Sequence, residues 1–329
     1  MPSLQDRTPS NMKIAFLADP LETFKTYKDS TFAMMREAAR RGHVIYAFEQ
    51  SDLVLESGLV TAGAFKVTLT GEEDDWYRAD KPASVFLSEF DAVIVRKDPP
   101  FDMEYIYTTY LLELAEKQGA RVFNKPEAIR SHNEKLAIAQ FPQYTAPTLV
   151  TRDEKRLRAF HAEHRDVILK PLDGMGGMGI FRVKDDGMNL GAIIETLTDN
   201  GQRTIMAQRF IPQISAGDKR ILLIGGKVVP NVLARIPQGG EVRGNLAAGG
   251  LGRAQPASAR DLEIGEALAP ILFARGLLLV GLDAIGDYLT EINVTSPTCF
   301  QEITQQTGFD VAAMFVDALE AAVGSSAGA

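Results

Sequence analysis

Val167-Ile-Leu-Lys-Pro-Leu-Asp-Gly-Met-Gly-Gly-Met-Gly-Ile-Phe-Arg-Val183 is an apolar strand, a glycine-rich turn and a second strand-forming run. Gly174, Gly176 and Gly179 satisfy the literal pattern G-x-G-x-x-G. A dinucleotide-binding reading needs that pattern after the first strand of a fold and at the opening of a helix, so that the helix N-terminus faces a pyrophosphate. Here a strand-former follows. The first strand of the chain, Lys13-Ile-Ala-Phe-Leu-Ala18, runs into Asp19-Pro20 and carries no such glycines. The stretch therefore reads as a hairpin with a side-chain-poor tip. A plain turn needs one or two glycines, whereas Gly174, Gly176, Gly177 and Gly179 place four within six residues. Glycine backbones approach a phosphate closely and offer it bare amides, so the flap is expected to cover a nucleotide.

Upstream of the flap the grammar is that of an open α/β domain with a parallel sheet. Short apolar runs at Lys13–Ala18, Val44–Phe48, Asp91–Val95 and Arg121–Phe123 read as strands. Between them, a helix capped at Asp29 or Ser30 stops at Arg41-Gly42, and a helix from about Met103 to Lys117 stops at Gly119. The first domain is expected over 12–125, after a disordered extension at 1–11. Beyond it a helix is expected from Glu127 to about Gln140, then a charged helix over Glu154–His164. Strands follow at 148–150, 167–170, 180–183, 205–208, 220–224, 227–229, 278–283 and 289–294. Antiparallel strands interleaved with helices make this second half, 126–323, α+β, and the small residues of 324–329 read as a tail.

The chain has 329 residues, with 35 basic against 43 acidic side chains and a net charge of −8. That length is enough for two or three domains. An acidic balance argues against nucleic acid, which needs a clustered positive surface. It leaves room for a triphosphate held by a few lysines in one cleft. The single cysteine, Cys299, rules out an internal disulfide and fits a reducing cytoplasm. No apolar run is long enough to span a bilayer, so no membrane association is expected. His161 and His164 share one face of the charged helix and read as solvated.

Candidate functional residues fall in four groups. Lys170 ends an apolar strand beside the flap, where a bound phosphate would supply the missing counter-charge. Lys135, in His132-Asn-Glu-Lys135, is placed in the helix that opens the second half and taken alone also reads as a surface lysine. Met206-Ala-Gln-Arg-Phe-Ile-Pro212 reads as an edge strand entering a linker, the kind of segment that lines an adenine pocket with Gln208 and Phe210. In the hairpin Val280-Gly-Leu-Asp283 … Thr290-Glu-Ile-Asn293, a three-residue loop at Gly286–Tyr288 would set Asp283 opposite Glu291, and Asn293 shares the face of Glu291. Two carboxylates and an amide are hard oxygen donors suited to Mg²⁺ held jointly with phosphates; the alternative is an outward polar face. Ser296 and Thr298 follow at once, and Cys299 reads as a small buried hydrophobe. Finally, the stretch from Ala234 to Gly250 combines Arg235, Arg243 and Asn245 with glycines that include Gly249 and Gly250, as a lid over a charged intermediate would. Arg220, opening a strand, is a further inward-pointing candidate.

Taken together these runs resemble the ATP-grasp superfamily and, within it, the bacterial glutathione synthetases. The resemblance is carried by Arg96-Lys-Asp-Pro-Pro-Phe101, Asn124-Lys-Pro126, Asn133-Glu-Lys135, Ile168-Leu-Lys-Pro-Leu-Asp-Gly-Met-Gly-Gly177, Ala234-Arg-Ile-Pro-Gln-Gly-Gly240, Gly244-Asn-Leu-Ala-Ala-Gly-Gly250 and Leu289-Thr-Glu-Ile-Asn-Val-Thr-Ser-Pro-Thr298, and runs from Met12 to Glu320. It implies an ATP-grasp half of two subdomains, about 131–206 as the ATP lid and 207–323 as the catalytic centre. It also implies Lys135 and Lys170 on ATP phosphates and Gln208 at the adenine. Asp283, Glu291 and Asn293 would ligate Mg²⁺, which Mn²⁺ can replace. Arg220 and Arg235 would steady an acyl phosphate and a tetrahedral species beneath a closing loop at 236–252. The implied reaction joins glycine to γ-glutamylcysteine with ATP cleavage, in a symmetric assembly such as a tetramer. Met178-Gly179 departs from the family's flap pattern, and residues 1–11 have no counterpart in it. Rival readings are a D-alanine–D-alanine or glutamate-adding ligase, a nucleotide-binding regulatory protein without turnover, and an NAD-linked dehydrogenase. The groups that read the γ-glutamyl end are not legible. The helix N-terminus at Asp29-Ser30-Thr31 is a candidate through its amides, with Ser30 as the residue to test.

Overall fold

The computed structural model describes residues 11–240, 243–246 and 249–326; residues 1–10 of the extension expected over 1–11 and the last residues of the tail, 327–329, lie outside them. The first domain contains β1 (Lys13–Leu17), α1 (Ser30–Arg40), β2 (Val44–Phe48), β3 (Leu53–Glu56), β4 (Leu59–Leu69), β5 (Tyr77–Ala79), β6 (Ala83–Phe86), β7 (Ala92–Val95), α2 (Met103–Lys117) and β8 (Val122–Phe123). β2, β1, β7 and β8 are parallel neighbours. All of β7 and all but the first residue of β1 are buried, as expected of strands covered on both faces. Asp29 caps α1 by accepting from Phe32 N at 2.8 Å, and Asp102 caps α2 by accepting from Tyr105 N at 3.0 Å.

The sheet is not parallel throughout. Its order is β3-β4-β2-β1-β7-β8, with β4 antiparallel to β2 and pairing β3, β5 and β6 as well. β4 alternates buried and exposed positions along most of its eleven residues, the signature of a half-covered antiparallel strand.

The second half contains α3 (Pro126–Ser131), β9 (Thr148–Thr151), α4 (Glu154–His164), β10 (Val167–Pro171), β11 (Phe181–Val183), α5 (Leu190–Thr198), β12 (Ile205–Arg209), β13 (Asp218–Ile224), β14 (Lys227–Val228), β15 (Asn231–Ile236), β16 (Leu251–Pro256), α6 (Ala259–Ala274), β17 (Leu279–Ile285), β18 (Tyr288–Asn293), α7 (Phe300–Thr307) and α8 (Val311–Ser326). Two antiparallel sheets result, β11-β10-β12-β9 and β16-β15-β13-β17-β18. Because β12 pairs with both β9 and β10 through Gln208, the division at 206/207 cuts a strand, and the subdomains part after it. The helix expected over 127–140 ends at Ser131. His132 Nδ1 bonds back to the Ala128 carbonyl, and Asn133 Oδ1 accepts from Lys135 N and Leu136 N, so Lys135 sits on a turn rather than on a helix. His161 is not solvated: it is 8% exposed and its Nε2 bonds the Lys184 carbonyl. At the C-terminus α8 continues to Ser326, so 324–326 is helix and not tail. No helix of the described residues is long and apolar enough to cross a membrane.

The two halves share their cores. Met34 and Met35 of α1 belong to the same apolar cluster as Phe300 of α7 and Phe315 and Leu319 of α8. Arg41 pairs with Asp317 at 2.6 Å and Glu320 at 3.1 Å, beside His43 on Glu320 at 2.8 Å. The tightest join is Asn124, 5% exposed, whose Nδ2 donates to the Leu279 and Val294 carbonyls at 2.7 and 2.9 Å and whose Oδ1 accepts from Leu279 N at 2.9 Å. One side chain thereby ties the end of β8 to β17 and to the residue after β18. Truncation leaves an amide and two carbonyls buried without partners, so Asn124→Ala should cost about 3 kcal/mol in urea unfolding. A loss below about 0.5 kcal/mol would show that the clamp contributes little.

Candidate active site

Strand register assembles the floor of the site. β13 lies between β15 and β17, with Asp218 opposite Arg235 and Arg220 opposite Asp283. Arg220 Nε donates to Asp283 Oδ1 at 2.6 Å, and Arg235 Nη2 donates to Asp218 Oδ2 at 2.5 Å and lies 2.9 Å from Asp283 Oδ2. All four residues are 2–8% exposed. Gly281 makes the crossing possible, since a Cβ there would meet Arg220 Cδ and Pro297 Cβ at 2.9 Å. Burial works against the charge on Asp283, but Arg220 and Arg235 overcome it and hold the carboxyl well below the usual carboxylate range.

The expected pairing of Asp283 with Glu291 is present, by a different route. The turn has two residues, with Ile285 opposite Tyr288, and a bulge between Asp283 and Ala284 restores the register. Thr290 fills the bulge, its hydroxyl donating to the Asp283 carbonyl at 3.0 Å. Two cations distant in the chain stand beside the trio. Glu291 lies 3.6 Å from Lys135 Nζ and 3.9 Å from Lys170 Nζ. Asn293 Nδ2 donates to Gly281 O at 3.1 Å, which leaves Oδ1 as the acceptor end. Asp283, Glu291 and Asn293 line one cleft and offer only oxygen donors, so the set fits a hard divalent cation. Among the described residues no cluster of three or more His, Cys, Asp or Glu side chains occurs, so a cation here needs the amide and phosphate oxygens to complete its shell.

The flap is the antiparallel hairpin of β10 and β11, Leu169 opposite Phe181. Lys135 Nζ donates to the Gly174 carbonyl, holding the base of the tip. Lys170 is buried at 4% exposure; burial pushes its ammonium down, partly offset by Glu291. At Gly177, φ is +83° and a Cβ would lie 2.9 Å from Asn245 Oδ1 and 3.1 Å from Arg243 Cδ, so flap and basic loop meet there.

Two clefts adjoin beneath that contact. The larger has a volume of about 230 Å³ and is lined by Lys135, Gly174, Gly176, Gly177, Arg220, Arg235, Asn245, Ser296 and Thr298 as well as Asp283, Glu291 and Asn293. The second contains Lys170, Gln208, Phe210, Asp218 and Arg243, and shares Ile180, Asn245 and Glu291 with the first. Phe210 is fixed by Arg182, whose guanidinium sits 3.5 Å over the ring and pairs with Asp166 at 2.6 Å. Gln208 Nε2 is held by Thr148 Oγ1 at 3.0 Å.

Other expected residues lie outside. Gly179, Gly249 and Gly250 line neither cleft, and residues 241, 242, 247 and 248 of the basic loop are not among those described. Ser30 is 1% exposed and its Oγ accepts from Phe300 N at 3.2 Å, so it ties α1 to α7 instead of facing the cleft. Cys299 is fully buried, as expected, and it does border the cleft.

Two cleft residues escaped the sequence reading. Glu134 Oε1 accepts from Val294 N, Thr295 N and Thr295 Oγ1 at 3.0, 3.2 and 2.8 Å, anchoring the segment that carries Ser296 and Thr298. Asp218 keeps Oδ1 buried without a partner at the second cleft. Burial pushes its carboxyl up to about 7, with Asp283 and Glu291 adding to the rise against the pull of Arg235. The run Glu134-Lys135 was available as a signal for the first; nothing local marks the second.

The model of the prokaryotic glutathione synthetase N-terminal domain matches residues 12–130, and that of its ATP-grasp domain matches 134–308. The chain belongs to the prokaryotic glutathione synthetase family. It is 69% identical to the glutathione synthetase of Ralstonia nicotianae over 317 residues, covering 96% of this chain and 98% of that one. It is 60% identical to that of Bordetella parapertussis over 318 residues, covering 95% and 100%. Among solved structures it is similar to a D-cycloserine synthetase (TM-score 0.68, 16% identity, 94% and 99% covered). It is also similar to the ATP-grasp ligase PsnB bound to a minimal precursor, Mg and ADP (TM-score 0.61, 19% identity, 95% and 98% covered). These two share the ATP-grasp fold with the family.

The Asp218 carboxyl gives this glutathione synthetase family member a testable pH signature. Folding raises its proton affinity, so the protonated form favours the native state at low pH, and that contribution is lost as pH rises from the ordinary aspartate range through about 7. Asp218→Asn cannot titrate, so its melting temperature should fall less than the wild type's between pH 5 and pH 8. Parallel melting curves for the two proteins would contradict this.

Proposed function

We propose that the chain joins glycine to the cysteinyl carboxylate of γ-glutamylcysteine with cleavage of ATP to ADP and phosphate. The observation that carries the reading is the convergence of four cations, Lys135, Lys170, Arg220 and Arg235, on Asp283 and Glu291 beneath a glycine flap. The two carboxylates act as counter-ions that a Mg²⁺-triphosphate can take over. Asp283, Glu291 and Asn293 would hold Mg²⁺, which would supply charge neutralisation at the transferring phosphoryl group, and Mn²⁺, an ion with the same preference for oxygen, would substitute. The adenine lies in the second cleft against Phe210 and Gln208, and Asp218 Oδ1 accepts from a ribose hydroxyl.

Lys135 and Lys170 bind the phosphates while the substrate carboxylate oxygen bonds to the γ-phosphorus and the bond to ADP breaks. The glycine amine then attacks the acyl carbon, the carbon–oxygen bond to phosphate breaks, and the amine gives up a proton. Arg220 and Arg235 hold the negative charge that develops on the acyl oxygen. Their fixed charge is preorganised by Asp283 and Asp218, and closure of the flap on the basic loop excludes water. No side-chain nucleophile takes part. The reducing cytoplasm is the proposed compartment, given the lone thiol. A closed symmetric oligomer, a tetramer, is the proposed assembly. Leu55, Leu59 and Phe86, 43–49% exposed on the antiparallel flank of the first sheet, support a subunit contact there.

Phosphate release from Mg-ATP, measured with each acceptor separately and together, tests the reading. Release should require both γ-glutamylcysteine and glycine, and D-alanine should not replace them. Release with D-alanine alone would move the protein to a different acceptor chemistry, and bound ATP without release would leave a binding protein.

A further inference from the structure

Strand register sets a row of side chains across the β11-β10-β12-β9 sheet. Arg182 of β11 lies opposite Ile168 of β10, Ile168 opposite Gln208 of β12, and Gln208 opposite Thr148 of β9. Residues paired across neighbouring strands share one face of a sheet. The alternate residues Val167, Leu169, Val183 and Ala207 belong to the apolar core formed with α4 and α5, so the row is on the other face. Ile168 and Gln208 line the second cleft, which places that face toward it. Arg182, on the outermost strand, stands outside the cleft. Its guanidinium lies 3.5 Å from the centre of the Phe210 ring, and Phe210 is a cleft residue.

Arg182 is in turn held by Asp166. Its Nε and Nη2 donate to Asp166 Oδ1 and Oδ2 at 2.9 and 2.6 Å, a fork on one carboxylate. The Asp166 carbonyl accepts from Phe210 N at 2.9 Å. Asp166 therefore fixes the backbone of Phe210 directly and its ring through Arg182. The three residues come from the turn before β10, from β11 and from the segment after β12, and they meet at the margin of the cleft. The side chains of Arg182 and Asp166 are 27% and 34% exposed. An ion pair so open to water adds little to stability. A guanidinium over an aromatic ring does restrict the ring, and here it covers one face and leaves the rest of the ring to border the cleft.

We propose that Arg182 is a positioning residue for the nucleotide base, holding the Phe210 ring, with Asp166, in the orientation that packs against the adenine. The inference rests on the functional reading above, which puts the adenine in the second cleft, and adds a residue that acts on the base without touching it. The phosphates are the charge of Lys135 and Lys170, and Arg220 and Arg235 lie on the other antiparallel sheet. Freeing the ring thus weakens nucleotide binding and leaves turnover at saturating ATP unchanged.

The test is steady-state kinetics of the full chain, with ATP varied at saturating γ-glutamylcysteine and glycine. Arg182→Met should raise KM for ATP about fivefold and leave kcat and the KM of the other two substrates within about twofold. Arg182→Lys keeps a charge for Asp166 but not the fork, and should fall between. Asp166→Ala keeps the backbone carbonyl and frees Arg182, so it should raise KM for ATP as well. The double variant should be no worse than Arg182→Met alone, because both changes break one unit. Inhibition by tripolyphosphate, which has no base, should be the same in the wild type and every variant. A lower melting temperature with KM for ATP unmoved would make Arg182 a structural residue only and overturn the inference. Equal weakening of ATP and tripolyphosphate would overturn it too, as would additive effects of the two substitutions. If Arg182→Met does not fold, Arg182→Lys and Asp166→Ala carry the same comparison. A wild type that releases no phosphate from ATP sinks the functional reading, whereas turnover with KM for ATP indifferent to these changes sinks the inference alone.

Discussion

Two arginines and two aspartates on three adjacent strands, Arg220, Arg235, Asp218 and Asp283, form a buried alternation of charge, and the rest of the site is arranged around it. Ions removed from water persist only when paired and hydrogen-bonded. Strand register supplies the pairs, so the antiparallel sheet of the second half is what makes the charges tolerable. Gly281 opens the space for Arg220 to cross the sheet, and the bulge at Asp283 turns its carboxylate to both arginines while keeping Glu291 opposite. Removing either aspartate would strand a guanidinium, which is why these groups are better regarded as one unit than as separate binding residues.

Above that floor the balance is positive. Lys135 and Lys170 add two cations and Glu291 one anion, the balance that the proposed binding of a triphosphate with its metal draws on. Glu291 faces both lysines, and the Gly174 carbonyl holds Lys135 as well. The shared core, Asn124 and the contact of α1 with α7 bring the first domain against the antiparallel sheet that holds these groups.

Much of this was legible in the chain. The flap, Lys135 and Lys170, the Asp283–Glu291–Asn293 hairpin and Arg235 are carried by short contiguous runs whose chemistry is local, and the fold brings them to one place. The hairpin pairing came out right for a reason the sequence hides, since a two-residue turn and a bulge replace a three-residue loop. Other features depend on distant partners. His132 and Asn133 break a helix through side-chain bonds to the backbone, which apolar periodicity does not register. Of the antiparallel strands at 53–86 only β4 alternates, and nothing local says which sheet it joins. Asp218 stands out only once the fold has left one of its atoms without a partner, and Ser30 looked available only until Phe300 was packed against it.

The central claim is that ATP activates the cysteinyl carboxylate as an acyl phosphate in the cleft above Arg220 and Arg235. The direct measurement is turnover of γ-glutamylcysteine labelled with ¹⁸O in that carboxylate, with mass analysis of the phosphate released. The account predicts one ¹⁸O atom transferred to phosphate for each glycine joined. Unlabelled phosphate, with the displaced ¹⁸O appearing in water instead, would contradict it.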